Sequence, residues 1–213
     1  REVAQEQIEE LAKRGATNAS LVTMDPYTGQ VLAMLGSVDF YDRNIDGQVN
    51  VATSLQQPGS AIKPFTYLAA LEQGWTAGTM LMDVEQSFPD GANPPYKPTN
   101  YDDEEWGPVS LRTALACSRN IPAVSTLHQL GLPALLEVTD HLGIRSLDRD
   151  DYGLSLTLGG GEVTLVEMTS AYGALANGGR RVMPQTILYI TDQEGRVVMP
   201  EATPEMPQVV DPR

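Results

Sequence analysis

The chain has 213 residues, 41% of them apolar, enough for one sizeable domain or a domain with a small appendage. Fourteen Lys and Arg against 28 Asp and Glu give a net charge of -14, which repels a polyanion over most of the surface and excludes nucleic acid as a partner. The single cysteine, Cys117, excludes an intrachain disulfide, His128 and His141 stand in no metal-ligand spacing, and no run approaches roughly 18 apolar residues, so no metal, cofactor or membrane span is expected within these residues.

Residues 2–14 carry Ala4, Ile8, Leu11 and Ala12 at helical spacing and stop at Gly15, which predicts a helix serving as a linker or as part of a first layer. Residues 19–24 and 30–35 read as strands joined by a turn at Asp25-Pro26-Tyr27-Thr28-Gly29. Both are apolar on both faces, so a hairpin covered on its two sides is expected. A helix is predicted from Ser60 to Gln73, closing at Gly74. The stretch 75–108 holds Pro89, Pro94, Pro95, Pro98 and Pro108 and reads as a long ordered loop or substrate-facing excursion. Ser110 is placed to cap a helix over 111–117, where Cys117 reads as a small buried apolar residue. Pro122 suits the first turn of a helix ending at Leu130, and Pro133 opens another that ends before Gly143. Thr164-Leu165-Val166-Glu167 is a capping box opening a helix to Ala176. The middle, 60–178, therefore reads as a helical block. Residues 182–191 and 196–199 flank Asp192-Gln193-Glu194-Gly195 as a second hairpin, and 200–213 read as irregular. Strands at both ends of a helical block make the fold class α+β, with a linker or first helix over 1–18 and the domain over 19–213.

Four residues carry candidate chemistry: Ser60, Lys63, Ser118 and Asn120. A serine hydroxyl attacks an acyl donor only when a base takes its proton, and a residue three positions on in a helix lies about 5 to 6 Å away between β-carbons. Lys63 stands so to Ser60. To accept a proton it must be neutral, which burial or a nearby positive charge favours. Pro64 cannot donate to the carbonyl of Ser60 and so forces Ser60 to the head of the helix, while biasing Lys63 away from helical angles and distorting that turn. Ser118 and Asn120 straddle Arg119 and suit a proton relay and a substrate contact. The same residues also suit plainer roles: Ser60 and Lys63 as a surface serine and a snorkelling lysine, Ser118 as a helix C-cap or turn residue.

Longer strings carry a resemblance. Gln57-Pro58-Gly59-Ser60-Ala61-Ile62-Lys63-Pro64-Phe65, Tyr96-Lys97-Pro98-Thr99-Asn100-Tyr101 and Val109-Ser110-Leu111-Arg112-Thr113-Ala114-Leu115, leading into Ser118-Arg119-Asn120-Ile121-Pro122-Ala123-Val124, resemble the transpeptidase domain of class A penicillin-binding proteins. The likeness extends upstream to Met24-Asp25-Pro26-Tyr27-Thr28-Gly29 and downstream to Leu158-Gly159-Gly160-Gly161-Glu162-Val163-Thr164 and Ala171-Tyr172-Gly173-Ala174-Leu175-Ala176-Asn177-Gly178-Gly179.

The resemblance implies a penicillin-binding protein/β-lactamase-like fold, with a helical subdomain against a five-stranded antiparallel sheet. It further implies an acylated nucleophile at Ser60, a general base at Lys63, a proton relay at Ser118 and a substrate and lysine contact at Asn120. The reaction it implies is D,D-transpeptidation of peptidoglycan stem peptides ending in D-Ala-D-Ala, with β-lactams acylating the same serine. The parent is expected on the extracytoplasmic face of a bacterial membrane, membrane-anchored and fused to a glycosyltransferase domain. Lysines stand only at 13, 63 and 97, so the family's Lys-Thr-Gly is not in this sequence. The chain is accordingly expected to be a C-terminally truncated domain, inactive alone, with an exposed sheet edge open to self-association. Two other readings are a non-catalytic peptidoglycan-binding or β-lactam-sensing module and a serine β-lactamase.

Overall fold

The structure is a computed structural model describing residues 2–91, 93–199 and 205–212. In chain order the elements are α1 (Glu2–Leu11), β1 (Leu21–Met24), β2 (Val31–Leu35), α2 (Lys63–Glu72), β3 (Met80–Asp83), β4 (Phe88–Asp90), β5 (Asn93–Tyr96), β6 (Gly107–Ser110), α3 (Leu111–Ala116), α4 (Asn120–Leu130), α5 (Leu132–His141), α6 (Leu165–Ala176), β7 (Ile190–Thr191) and β8 (Val197–Met199). The class is α+β. The strands pair two by two, each pair antiparallel: β1 with β2, β3 with β6, β4 with β5 and β7 with β8. The chain divides into two compact units, Gln57–His141 with Leu147–Glu162, and the described residues of Arg1–Gln56, Leu142–Ser146 and Val163–Arg213.

The second of these units holds α1, which has no buried residue, and the β1–β2 hairpin. The Asp25 carboxylate accepts from the Tyr27 and Thr28 amides, which closes the turn. The hairpin is not covered on both sides as its apolar pattern predicts. Helix α6 packs near β1, with Met24 against Gly173, but no described element of this unit covers Leu32, which is 63% exposed, or Leu21. Thr164 and Glu167 form the predicted capping box, and the Glu167 carboxylate also takes the amides of Arg145 and Ser146 and the Ser146 hydroxyl. The strand predicted over 182–191 shrinks to β7. Over 182–189 only Gln185 pairs, in parallel with Gln30, while Val182 is buried. Of the expected irregular tail, residues 200–204 and 213 lie outside the described residues, and Gln208 bridges to Arg180.

The other unit contains the candidate site. Its core joins Tyr67 and Ala70 of α2, Leu81 of β3, Val109 of β6, Leu111 and Ala114 of α3, and Ala123 of α4. Strands β3 and β6 correct the expectation of a long loop and of an uninterrupted helical middle. In β3 the residues alternate exposed and buried, so that Leu81 and Asp83 point inward, and Leu81 stands opposite Val109. Proline hid β4, β5 and β6 from the sequence. Pro89, Pro94, Pro95 and Pro108 fall in two-stranded pairings, where each strand keeps a free edge, and the β4–β5 pairing is irregular between Phe88 and Asp90. Ser110 caps α3 by accepting from the Thr113 amide, as predicted, and α4 and α5 run close to their predicted bounds. Cys117, expected buried, is exposed, because it ends α3 where the chain turns out of the helix.

Candidate active site

Proline places Ser60. Pro64 has no N–H for the Ser60 carbonyl four residues back, so the Lys63 amide takes that carbonyl from three residues away, and the chain enters α2 through a 3-10 turn over Gly59–Ile62. Lys63, expected to be biased away from helical angles by the proline after it, keeps them (φ -55°, ψ -39°), and the distortion is confined to the turn before it. Ser60 is exposed in that turn. Behind it the backbone of Gly159 approaches Gly59 so closely that a β-carbon at 159 would lie 2.3 Å from the Gly59 nitrogen, at a φ of +91° that also disfavours any side chain.

Ser118 sits at the end of α3 in the left-handed conformation, φ +53°. The Ser118 amide donates to the Leu115 carbonyl and the Arg119 amide to that of Ala114, at 3.0 and 2.9 Å. This is a Schellman ending with serine where glycine is usual. The plain reading of Ser118 as a helix-terminal residue is therefore correct as far as it goes. Arg119 is extended, and Asn120 opens α4.

The lysine draws these pieces together. Lys63 is 1% exposed, and its Nζ donates to the Ser118 carbonyl at 2.6 Å, to Asn120 Oδ1 at 2.6 Å and to Ser118 Oγ at 3.1 Å. Three donors thus meet three acceptors, and none goes to Ser60. Burial, and secondly the positive charge of Arg119, lower the Lys63 pKa to about 8. When the amine loses a proton it keeps two N–H groups. The carbonyl of Ser118 and Oδ1 of Asn120 can only accept, so the lone pair falls toward Ser118 Oγ, the one partner able to donate in return. The arrangement can pass a proton between Lys63 and Ser118. Asn120 Nδ2 donates to the Thr99 carbonyl at 2.8 Å, which commits one of its two N–H groups.

A buried polar network, which sequence reasoning missed, stands around the Ser118–Asn120 hinge. Asp83, 0% exposed, accepts from Asn100 Nδ2 (2.7 Å), Arg119 Nε (2.7 Å) and the Trp106 amide (3.3 Å). Arg119 Nη1 reaches Asp102 Oδ2 at 2.7 Å, Nη2 donates to the Glu104 carbonyl, and the guanidinium lies 4.2 Å from the centre of the Trp106 ring. Asn100 Oδ1 accepts from the Asn120 amide at 2.8 Å and from that of Ile121 at 3.4 Å, so it caps α4 from across the chain. Arg119 enters the sequence reading as a spacer. An arginine between two serviceable polar residues, and an asparagine in the Tyr96 to Tyr101 string, were the signals available. Among the described residues no group of His, Cys, Asp and Glu could hold a metal, and no helix is long and apolar enough to cross a membrane.

Known proteins resemble this chain in sequence and in fold. The family profile described as penicillin binding protein transpeptidase domain matches residues 19–211. Penicillin-binding protein 1A of Rickettsia bellii is 37% identical over 182 residues, covering 85% of this chain and 22% of the relative. Its namesake in Neisseria cinerea is 37% identical over 201 residues, 92% of this chain and 25% of the relative. The chain thus spans about a quarter of these relatives' length. The crystal structure of penicillin-binding protein 1A from Haemophilus influenzae superposes with a TM-score of 0.80 at 33% identity, covering 89% of this chain and 28% of that one. Penicillin-binding protein PonA1 of Mycobacterium tuberculosis, 24% identical with a TM-score of 0.81 over 98% of this chain and 58% of that one, shares the fold. By the match over residues 19–211 and these relatives, the chain belongs to the penicillin-binding protein transpeptidase family.

Proposed function

We propose that this segment carries the acylating half of a peptidoglycan D,D-transpeptidase site. Ser60 Oγ bonds to the carbonyl carbon of the penultimate D-Ala of a stem peptide. The carbon–nitrogen bond to the terminal D-Ala breaks, and the serine proton passes through Lys63 and Ser118 to the leaving amine. An amine of a neighbouring strand then attacks the ester, returns its proton to the same groups and frees Ser60. Asn120 holds Lys63 through Oδ1 and offers its second N–H to the substrate.

The observation that carries this reading is the Lys63 ammonium, buried and bonded to both Ser118 and Asn120, with a pKa lowered to about 8. A snorkelling surface lysine would keep its head in water and its usual pKa. The element that binds the substrate carboxylate in the family, Lys-Thr-Gly, is not in these 213 residues. The segment alone is therefore proposed to acylate weakly or not at all, and the natural protein containing it to be membrane-anchored and to work on the extracytoplasmic side.

A fluorescent penicillin tests the reading. Natural protein containing this segment labels, and Ser60→Ala removes the label. Undiminished labelling of Ser60→Ala overturns the assignment.

A further inference from the structure

We propose that Arg119, locked by Asp83, is a positioning residue for proton exchange at Lys63. Its buried guanidinium holds the Ser118–Asn120 hinge in the one shape that brings Ser118 Oγ, the Ser118 carbonyl and Asn120 Oδ1 onto a single lysine nitrogen.

The hinge needs holding. Ser118 occupies the left-handed region, where a side chain costs energy that glycine would avoid, and such a conformation persists only when its surroundings over-determine it. The chain then passes in three residues from the end of α3 to the start of α4, and both helix ends are tied from outside. Arg119 supplies the tie. Nε, Nη1 and Nη2 each have an acceptor, on Asp83, Asp102 and Glu104, and the flat face stacks on Trp106. Only a planar fork can meet three acceptors in three directions while lying on a ring, so lysine would keep the charge and lose the geometry. Asp83 has a second hold on the hinge. Its other oxygen orients Asn100, whose Oδ1 receives the Asn120 amide. The two oxygens of one buried carboxylate thus fix Arg119 directly and Asn120 through Asn100.

The clamp also sets charge. Lys63 faces Ser118, Asn120 and the Arg119 cation, which contributes after burial to disfavouring its protonated form. Arg119 in turn faces Asp83 from β3 and Asp102 with Trp106 from the 97–106 segment. Tyr67 of α2 faces Asp83 as well. Its hydroxyl is pushed far above its ordinary range, by burial first and by the Asp83 charge second, so it stays neutral and leaves the balance to the arginine and its two carboxylates.

The inference rests on the proposed acyl-transfer reading, and the experiment separates the two. The acylation rate constant and the half-saturating penicillin concentration are measured against pH for natural protein containing this segment, and for Arg119→Gln, Arg119→Lys, Asp102→Asn and Ser60→Ala. Arg119→Gln is expected to slow acylation at least about tenfold, as misplaced catalytic groups do, with the half-saturating concentration unchanged. The midpoint of the limb on which acylation rises with pH, set by deprotonation of Lys63, moves above that of wild type, because a cation near Lys63 is gone. Arg119→Lys slows acylation while keeping the wild-type midpoint. Asp102 is partly exposed, so Asp102→Asn stays folded and decides the matter should the Arg119 variants melt; it slows acylation several-fold. Folded Arg119 variants with wild-type rate and midpoint overturn the clamp, as does an unaffected Asp102→Asn where the Arg119 variants are unfolded. Labelling that survives Ser60→Ala overturns the acyl-transfer reading instead.

Discussion

Lys63 Nζ lies 2.6 Å from Asn120 Oδ1, across 57 residues of chain, so a buried lysine at the start of one helix meets a partly buried asparagine at the start of another. The contact makes the lysine's protonation state a property of the fold. Lowering its pKa from 10.5 to about 8 disfavours the folded protein while the lysine is charged, and the cost disappears as the lysine loses its proton. The unfolded chain binds more protons between those two values, so stability rises with pH there. Wild type is expected to gain about 2 kcal/mol relative to Lys63→Met between pH 8 and 10, by the linkage of one proton. Parallel urea titrations at the two pH values check this; a constant difference between the proteins contradicts it. Above pH 10 the buried Tyr67 hydroxyl, raised in the folded state, works in the opposite sense.

Lys63→Arg is expected to keep the positive charge and abolish the base, because a guanidinium does not deprotonate in this range. Acylation by penicillin should fall by about 10² or more at pH 8, the usual worth of a general base. Stopped-flow measurement of acylation at pH 8 checks it, and a variant within a few-fold of wild type refutes the role of Lys63.

Removing Asp83 leaves Arg119 charged and buried with its Nε unpaired, and strips Asn100 and the Trp106 amide of an acceptor. Asp83→Ala should cost about 3 to 5 kcal/mol, the penalty for breaking a buried ion pair on one side. Denaturant unfolding measures it. Arg149 with Asp151, an exposed pair, provides the contrast: Asp151→Ala should change stability by less than about 1 kcal/mol.

Gly159→Ala puts a methyl 2.3 Å from the Gly59 nitrogen and holds alanine at a positive φ. Overpacking of this kind costs about 1 to 3 kcal/mol, and the backbone that must yield is the one leading into Ser60. The melting temperature and the acylation rate should therefore fall together. Gly178→Ala, also at positive φ but with open space around it, should lower only the first.

Glu167 gathers hydrogen bonds from Ser146, Thr164 and Arg145, which outweigh its burial and hold its carboxyl below the usual range. A depressed carboxylate stabilises the fold above its unfolded pKa, and that stability is lost as pH falls through the folded value. Wild type should exceed Glu167→Gln in melting temperature at pH 7, and the gap should close on acidification below about pH 4, the ordinary carboxylate range. A gap independent of pH contradicts this account.

Local signals were legible in the sequence, and distant ones were not. Ser110 and the Thr164–Glu167 box mark helix starts because each cap satisfies amides within three residues of itself. Pro64 places Ser60 at the helix start by the same short-range logic, though the 3-10 form of that turn was not read from the sequence. The β3–β6 pairing escaped notice because Pro108 masks strand character in β6 and the partners are far apart in sequence. Asp83 and Arg119 are separated by 36 residues, and nothing local distinguishes a buried charge from a solvated one. Ser118 gave no hint of its left-handed backbone, since serine rarely takes it. The exposed faces of β1 and β2 were misjudged for the reverse reason: an apolar pattern states a preference for cover and cannot show that the cover is present.

The most direct test of the central claim is mass spectrometry of the natural protein containing this segment after reaction with a penicillin and proteolysis. The account predicts one equivalent of the opened β-lactam on the peptide containing Ser60, fragmented to that residue and lost in Ser60→Ala. An adduct on any other residue, or an equal adduct on Ser60→Ala, contradicts it.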